Sequence, residues 1–454
     1  MLRTLLKGGA IVSMDPAIGD LAQGDILIED DSIAAVGPAI DAGDAQTIDA
    51  SRMLILPGLI NGHLHTWQSA LKGLASDWTV AEYMQAMHRG LATVFGPEDI
   101  HIANLMGALN QINSGATTLV DWCHNNPTPE HTDAAIRGLD ESGIRALFLH
   151  GSPKPDPKPG QKHFSEIPMP RGEVERLLKG RFASRDGHVT FGLAILGPYY
   201  STYEVSRADT LLARELDLFA SMHVGGGTPL TPDGFERLLD DGLIDGRFTI
   251  VHGNDIPHGT IRRIVAAGGT FTVTADVELQ MGYGDPLTGL LHELKSPISI
   301  GTDVEPAVGS DMFTCMRMTL QHERNRSIIE TLEKTGARPQ ATPITSREAL
   351  GWATMDAARV VGLDHKIGSL TPGKQADITM LRIDDLNLAP VRDLVGCAVM
   401  HASVANVDTV FIAGKVVKKD GRLLAPDIPA RLDALRRSGD RILADFEALQ
   451  RRKA

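Results

Sequence analysis

Cysteine is scarce. The 454 residues hold three, at positions 123, 315 and 397, and an odd number so widely spaced excludes a fully paired disulfide framework and fits a reducing compartment. No run reaches the ~18 apolar residues of a transmembrane helix, so no membrane span is expected. No basic stretch followed by an apolar core of roughly 7–15 residues opens the chain, because Met1-Leu2-Arg3-Thr4-Leu5-Leu6-Lys7 turns at Gly8 into an alternating strand. A cytoplasmic protein is the expectation. Basic excess is missing too: 44 Lys and Arg against 57 Asp and Glu leave a formal charge of −13, which argues against nucleic acid or an anionic membrane surface as partner. There is no phosphate loop or dinucleotide fingerprint, and no His-x-Glu with Pro-Cys-x-x-Cys.

What is present is an alternation of strands and helices. Strand-like runs at Thr117–Val120, Arg145–Leu149, Thr190–Leu196, Leu218–His223, Thr249–His252, Thr270–Thr274 and Ile298–Gly301 are separated by helical stretches such as Thr132–Ser142 and Asp255–Ala267. That order predicts a (β/α)8 barrel, whose chemistry sits at the C-terminal ends of its strands. Both ends of the chain read differently. Residues 1–56 and 365–424 are short period-2 strands punctuated by Gly, Asp and Pro, and 425–454 is an amphipathic, Arg-rich helix suited to packing or an oligomer surface. The expected division is therefore a β-rich first part (1–56), a barrel (57–364), a β-rich second part (365–424) and a C-terminal helix (425–454). Two insertions stand out: Trp67–Val94, helical and suited to a pocket wall, and Gly151–Gly172, rich in Pro and Lys and expected to be irregular or mobile.

The chemistry concentrates after an apolar run, Met53–Leu56, which reads as a buried strand ending at Pro57-Gly58 before His63-Leu64-His65. Alternate strand residues share a face, so both imidazoles point the same way. A lone His-x-His is more often two ordinary histidines. Here His223, His252 and Asp303 each close a short apolar run as well. A buried strand that ends in an unpaired polar group is costly, and several such endings suggest one shared partner.

On these residues the chain resembles the amidohydrolase superfamily, in particular its branch of aminohydrolases acting on cytosine, guanine, adenosine-type and triazine substrates. The resemblance rests on Pro57-Gly58-Leu59-Ile60-Asn61-Gly62-His63-Leu64-His65, the later histidines and Gly301-Thr302-Asp303, and it extends from Gly8 to about Leu424. It implies that the two chain ends pair into a small β-sandwich beside the barrel, with Gly368-Ser369-Leu370-Thr371-Pro372-Gly373-Lys374-Gln375-Ala376-Asp377 in a structural role. It also implies one divalent metal ion on His63, His65, His223 and Asp303. The carboxylated lysine that bridges two ions in part of the superfamily has no counterpart in Ala194–Tyr200. Zinc suits these ligands, with iron the alternative. Asp303 is expected to act as ligand and base, and His252 to stand beside the attacking water or the leaving group, leaving one coordination position open.

One departure is informative. The glutamate that most nucleobase-type deaminases carry three residues after the third histidine is missing, since His223 is followed by Val224-Gly225-Gly226-Gly227. Glu278, or less favourably Asp276, is the candidate replacement acid if burial raises its pKa. Substrate contacts are expected from Trp67, Gln68, His124, Tyr199 and Glu278, with Trp122, Tyr200, Asp121 and His150 as weaker candidates. Asp311-Met312-Phe313, Cys123 and Cys315 are expected to be structural. The expectation is a metal-dependent hydrolase that deaminates a small nitrogen heterocycle, acting as a homo-oligomer on a small-molecule substrate. Hydrolysis of a cyclic or linear amide, loss of halide from a ring, and a catalytically silent binding relative are the alternatives.

Overall fold

The computed structural model describes residues 2–453; Met1 and Ala454, at the outer ends of the expected first strand region and C-terminal helix, lie outside the described residues. Two sheets organise the chain. The first is built from both ends: β1 (Arg3–Val12), β2 (Asp20–Glu29), β3 (Ser32–Gly37), β4 (Gln46–Asp49) and β5 (Met53–Pro57). The second holds eight parallel strands, β6 (Leu59–Leu64), β7 (Ala116–Cys123), β8 (Arg145–Gly151), β9 (Val189–Ile195), β10 (Ala220–Val224), β11 (Phe248–His252), β12 (Thr270–Val273) and β13 (Ile298–Ile300), in sequential order. The chain then returns to the first sheet with β14 (Ile378–Arg382), β15 (Val407–Ile412), β16 (Lys415–Lys419) and β17 (Arg422–Leu423). That sheet runs β17-β16-β15-β14-β5-β1-β2-β3, with β4 on β1, so the two ends of the chain meet where β14 pairs antiparallel with β5.

β5 is apolar throughout because both its faces are covered. Ile55 joins Ile11, Ile28 and Phe411 in the core of the end sheet, while Leu54 and Leu56 face the larger core around the barrel. The structure thereby separates the run Met53–Leu56 from the histidines that follow it. At Pro57-Gly58 the chain leaves one sheet for the other, and the Gly58 N–H bonds to the Asp377 carbonyl (2.8 Å) one step beyond the last β5–β14 pair. The histidines belong to β6, a barrel strand.

Inside the barrel, Val120, Trp122, Leu147, Leu149 and Ala194 pack with Val360 and Val361. The imidazoles and the carboxylate of Asp303 gather at the upper rim, where the strands end. Residues 66–94 form short turns instead of one long helix: 3-10 segments Thr66–Leu71 and Leu91–Val94, a helical turn Val80–Tyr83 and a π turn Met84–His88. Thr79 and Glu82 cap the helical turn reciprocally. From Ser152 to His163 the chain is irregular, as its prolines require. The C-terminal helix Ile428–Lys453 lies on helix Pro97–Asn113, where Ser438 Oγ bonds to Asp99 Oδ1 (2.7 Å) and Arg441 also reaches Asp99. Among the described residues no helix is long and apolar enough to cross a membrane.

One buried ion pair ties the barrel to the end sheet. Arg145, at the start of β8, donates from Nε to Asp377 Oδ2 (2.9 Å), and Asp377 Oδ1 accepts from the Ala413 N–H (2.7 Å); both side chains are almost wholly buried. Removing one partner strands the other charge, so Arg145→Met is expected to destabilise the chain by about 3–5 kcal/mol. The check is a lowered urea midpoint that adding Asp377→Asn partly restores.

Candidate metal centre

The seam of the barrel is also where the polar cluster forms. β13 and β6 are closed by two backbone hydrogen bonds, Asp303 N–H to the His63 carbonyl (2.9 Å) and His65 N–H to the Asp303 carbonyl (2.8 Å). Asn61 reinforces the seam: its amide donates to Thr302 Oγ1 (2.7 Å) and Gln111 Oε1 (3.0 Å), and its Oδ1 accepts from Thr302 N–H (3.2 Å). Neither Gly62 nor Gly301 leaves room for a side chain. A Cβ on Gly301 would lie 2.6 Å from the His63 nitrogen, and one on Gly62 would collide with Ser299. Asp303 and His252 both hold positive φ, 57° and 66°, a conformation that favours glycine and that packing must impose on other residues.

Four ligand atoms converge above this seam. His63 Nε2 lies 3.1 Å from Asp303 Oδ1, His65 Nε2 3.3 Å from the same oxygen, and His223 Nε2 3.1 Å from His63 Nε2. All four residues are buried and their nearest donor atoms fall within 4.8 Å of one another. Protons alone satisfy this arrangement poorly. His65 Nδ1 faces the Trp122 carbonyl at 2.6 Å, and a carbonyl only accepts, so the proton sits on Nδ1 and the Nε2 lone pair is aimed at the cluster. His63 and His223 have no partner on Nδ1, so nothing outside the cluster satisfies those nitrogens.

Burial pushes His63 down to about 4 and His223 well below the usual imidazole range. For Asp303, burial pushes upward, but the imidazoles packed against it outweigh that and hold the carboxyl well below its ordinary value. Neutral His63 and His223 beside an ionised carboxylate are in the protonation state that binds a cation. These residues fit a divalent metal ion.

His252 flanks the cluster, its Nε2 3.7 Å from Asp303 Oδ2. Its Nδ1 is held by Thr274 Oγ1 (2.9 Å) and Glu278 Oε1 (3.2 Å). Glu278 is fully enclosed: the same Oε1 accepts from the Thr274 N–H (2.8 Å), and Oε2 from Asn254 (3.3 Å). It stands beside the His252 ring, on the Nδ1 side away from Asp303. Asp276 points elsewhere, toward Asp311 and Cys315, and burial raises it to about 7.

The other expected contacts divide. His124 stacks edge-on against His65 (centroids 4.5 Å) and its Nε2 meets His88 at 3.2 Å. Trp67 lies one layer back, fully buried between Phe95 and His124, and Gln68 donates to the Tyr83 hydroxyl at 2.5 Å. Tyr199 does not join the pocket wall: its hydroxyl is taken by Asp255 (2.6 Å) and by the Gly227 backbone. Asp121 and His150 also end strands but face the surrounding helices. Asp121 accepts from Asn104 (2.8 Å) and Thr66 and is raised by burial to about 7. His150 lies near Glu173 and Arg176 and is lowered by burial to about 4. Asp311 caps helix Met312–Thr335 through the Thr314 N–H, and Cys123 and Cys315 are buried with their thiols pushed up by burial, all in keeping with structural roles.

Two residues not singled out from the sequence, Tyr283 and Lys154, complete the mouth with the expected Trp122 and Tyr200. Tyr283 stacks on His252 (centroids 4.4 Å), Trp122 meets His223 (4.1 Å), and Lys154 reaches over the rings of Tyr200 (4.5 Å) and Trp122 (5.6 Å). The position three residues after His223 is Gly226, at φ 85°, and a Cβ there would lie 2.5 Å from Val80 Cγ2. The missing glutamate has lost its room as well as its side chain.

Comparison with known proteins agrees with this architecture. The sequence pattern of the amidohydrolase family matches residues 54–417. The 5-methylthioadenosine/S-adenosylhomocysteine deaminase of Pyrococcus abyssi (strain GE5 / Orsay) is 25% identical over 439 residues, covering 94% of this chain and 96% of its own. The 8-oxoguanine deaminase of Pseudomonas aeruginosa PAO1 is 26% identical over 446 residues, covering 93% and 96%. Among solved structures, the atrazine chlorohydrolase of Arthrobacter aurescens TC1, complexed with zinc, superposes with a TM-score of 0.83 at 22% identity, covering 96% of this chain and 100% of that one. A barrel closed through its own ligands, a sheet made from both chain ends and a family match over most of the sequence together have one reading: the chain belongs to the amidohydrolase family.

Proposed function

We propose that the chain is a hydrolase of carbon–nitrogen bonds that carries one zinc ion on His63, His65, His223 and Asp303 and releases ammonia from a small aminated heterocycle. The observation that carries this is the convergence of three imidazoles and one carboxylate within 4.8 Å at the barrel rim. The ligand types favour zinc, with iron the nearest competitor. Bound there, the ion would lower the pKa of a water molecule to roughly 7 and supply a Lewis acid for the bond to be cleaved.

The chain's own residues do the rest. Asp303, anionic and bonded to two imidazoles, takes the proton of the attacking water and passes it to the departing nitrogen. His252, fixed by Thr274 and Glu278, presents Nε2 beside Asp303 to orient the reacting groups. Glu278 is a positioning residue that acts through His252. The aromatic mouth of Trp122, Tyr200 and Tyr283 suits a flat ring. Support for deamination comes from the deaminase activities named for the two curated relatives, each aligned over more than nine-tenths of this chain. A second reading, hydrolysis of a cyclic amide, is favoured by Gly226, because an amide needs no acid at a ring nitrogen.

Purified protein is expected to carry roughly one transition-metal ion per chain, measured by plasma mass spectrometry. Chelation should abolish turnover and lower the melting temperature, since an ion bound only by the folded state stabilises it; zinc should restore both. Metal-free protein that gains nothing on zinc addition would remove the reading. An ammonia-release screen over aminopurines, aminopyrimidines and aminotriazines, run beside lactams, decides between the two chemistries, with turnover expected from the aminated rings. Glu278→Gln, which retains an acceptor for His252, is expected to lower kcat by ~10-fold, and Glu278→Ala by ~100-fold, both with metal content unchanged. A ~100-fold loss in the Gln variant matching that of Ala would instead mark Glu278 as a direct acid.

A further inference from the structure

The mouth holds an ammonium with no protein counter-ion. Lys154 is 95% buried, at 5% exposure, and among the described residues no hydrogen bond or ion pair engages its Nζ. The amine lies over the faces of Tyr200 and Trp122, and Trp122 itself packs on His223 and hydrogen-bonds His65 through its carbonyl. Pro153, Pro155 and Pro157 hold the backbone extended on either side of it. Ser152, Pro153 and Pro155 line a surface cavity of about 690 Å³, whereas Lys154 turns inward. Burial lowers its amine to about 8, opposed by the charge of Asp303 across the mouth. A buried cation without a partner is unfavourable, and such a group kept at the rim of a reaction site needs a ligand to complete it.

We propose that Lys154 is the substrate-contacting proton donor of this site, taking the part of the carboxylic acid for which Gly226 leaves no room, and that the substrate turns a ring nitrogen toward it. The inference rests on the deaminase reading above and names its missing acid. As the oxygen of water bonds to the amino-bearing carbon, the Lys154 ammonium gives a proton to the adjacent ring nitrogen, and Asp303 holds the proton lost by the water. Asp303 then delivers that proton to the amino group, the carbon–nitrogen bond breaks and ammonia leaves. The new hydroxyl returns its proton to the Lys154 amine as it becomes a carbonyl. Water and the aminated ring thus become ammonia and the oxo ring, with both protein groups restored.

The test uses the zinc-loaded full chain, wild type, Lys154→Met and Lys154→Arg. Cyanate at pH 7.5, read by peptide mass mapping, is expected to carbamoylate Lys154 at least ~10-fold faster than the average surface lysine, because a lowered pKa leaves more free amine; a rate at or below that of surface lysines overturns the proposal. Lys154→Met is expected to raise the melting temperature with zinc content unchanged, since it removes an uncompensated buried charge, whereas a purely structural lysine would give a fall. On a substrate found in the ammonia screen, Lys154→Met should lower kcat by ~100-fold or more, with Lys154→Arg also impaired. Unchanged kcat in Lys154→Met sinks the proposal while leaving the deaminase reading intact. A screen that finds no aminated substrate sinks that reading, and the labelling and melting results still decide whether Lys154 is a reachable, uncompensated cation.

Discussion

The barrel cannot close without bringing its ligands together, because the same residues do both. The Asp303 N–H donates to the His63 carbonyl and the Asp303 carbonyl accepts from the His65 N–H, joining β6 to the end of β13, and the side chains of all three rise from that seam into the cluster. Gly62 and Gly301 let the two strands approach this closely. A displacement of the seam large enough to admit a Cβ would open the barrel and disperse the ligands together, so stability and site geometry are coupled at one place. His223 and His252, carried by neighbouring β10 and β11, then need only the ordinary strand spacing to complete the group.

The energetic burden sits at the rim. Imidazoles are buried neutral, Asp303 is buried ionised, and two non-glycine residues hold positive φ. The rest of the molecule offsets this with apolar packing: the inside of the barrel around Trp122, Leu147 and Val360, and the enclosure of β5 between two cores. Positive φ at Asp303 and His252 and imidazole nitrogens without an outside partner, gathered at one rim, are what a site pre-organised for a cation requires.

Much of this was legible because a strand that ends in a polar residue before a turn is a recognisable pattern. The barrel strands and the ligands His63, His65, His223 and Asp303 all carry it. The same pattern misleads where parity is ambiguous. Asp121 and His150 also end apolar strands, yet their side chains fall on the outer face, because one residue along a strand reverses direction. Met53–Leu56 looks like the strand that carries the histidines because an apolar run does not say which sheet it joins. Glu278 has the right chemistry and a buried position, but the hydrogen bonds that enclose it come from Thr274 and Asn254, partners set only by the tertiary fold. Lys154 carries no signal at all: a lysine among prolines reads as solvated loop until the barrel mouth folds over it.

Charge balance at the mouth connects these observations. Replacing a carboxylic acid by glycine at position 226 removes an acidic group, and Val80 fills the space it would occupy. Lys154 adds a positive charge above Trp122 and Tyr200, and the Tyr200 hydroxyl donates to the carbonyl of Gly225 beside that glycine. With a divalent ion on the cluster, the Asp303 carboxylate would not balance the ion and the Lys154 ammonium together, and the mouth would be left net positive. An electron-rich ring with a basic nitrogen complements such a field better than a cationic or electron-poor one. What distinguishes this mouth is therefore the groups around the cluster, the glycine run after His223 and the proline-held lysine.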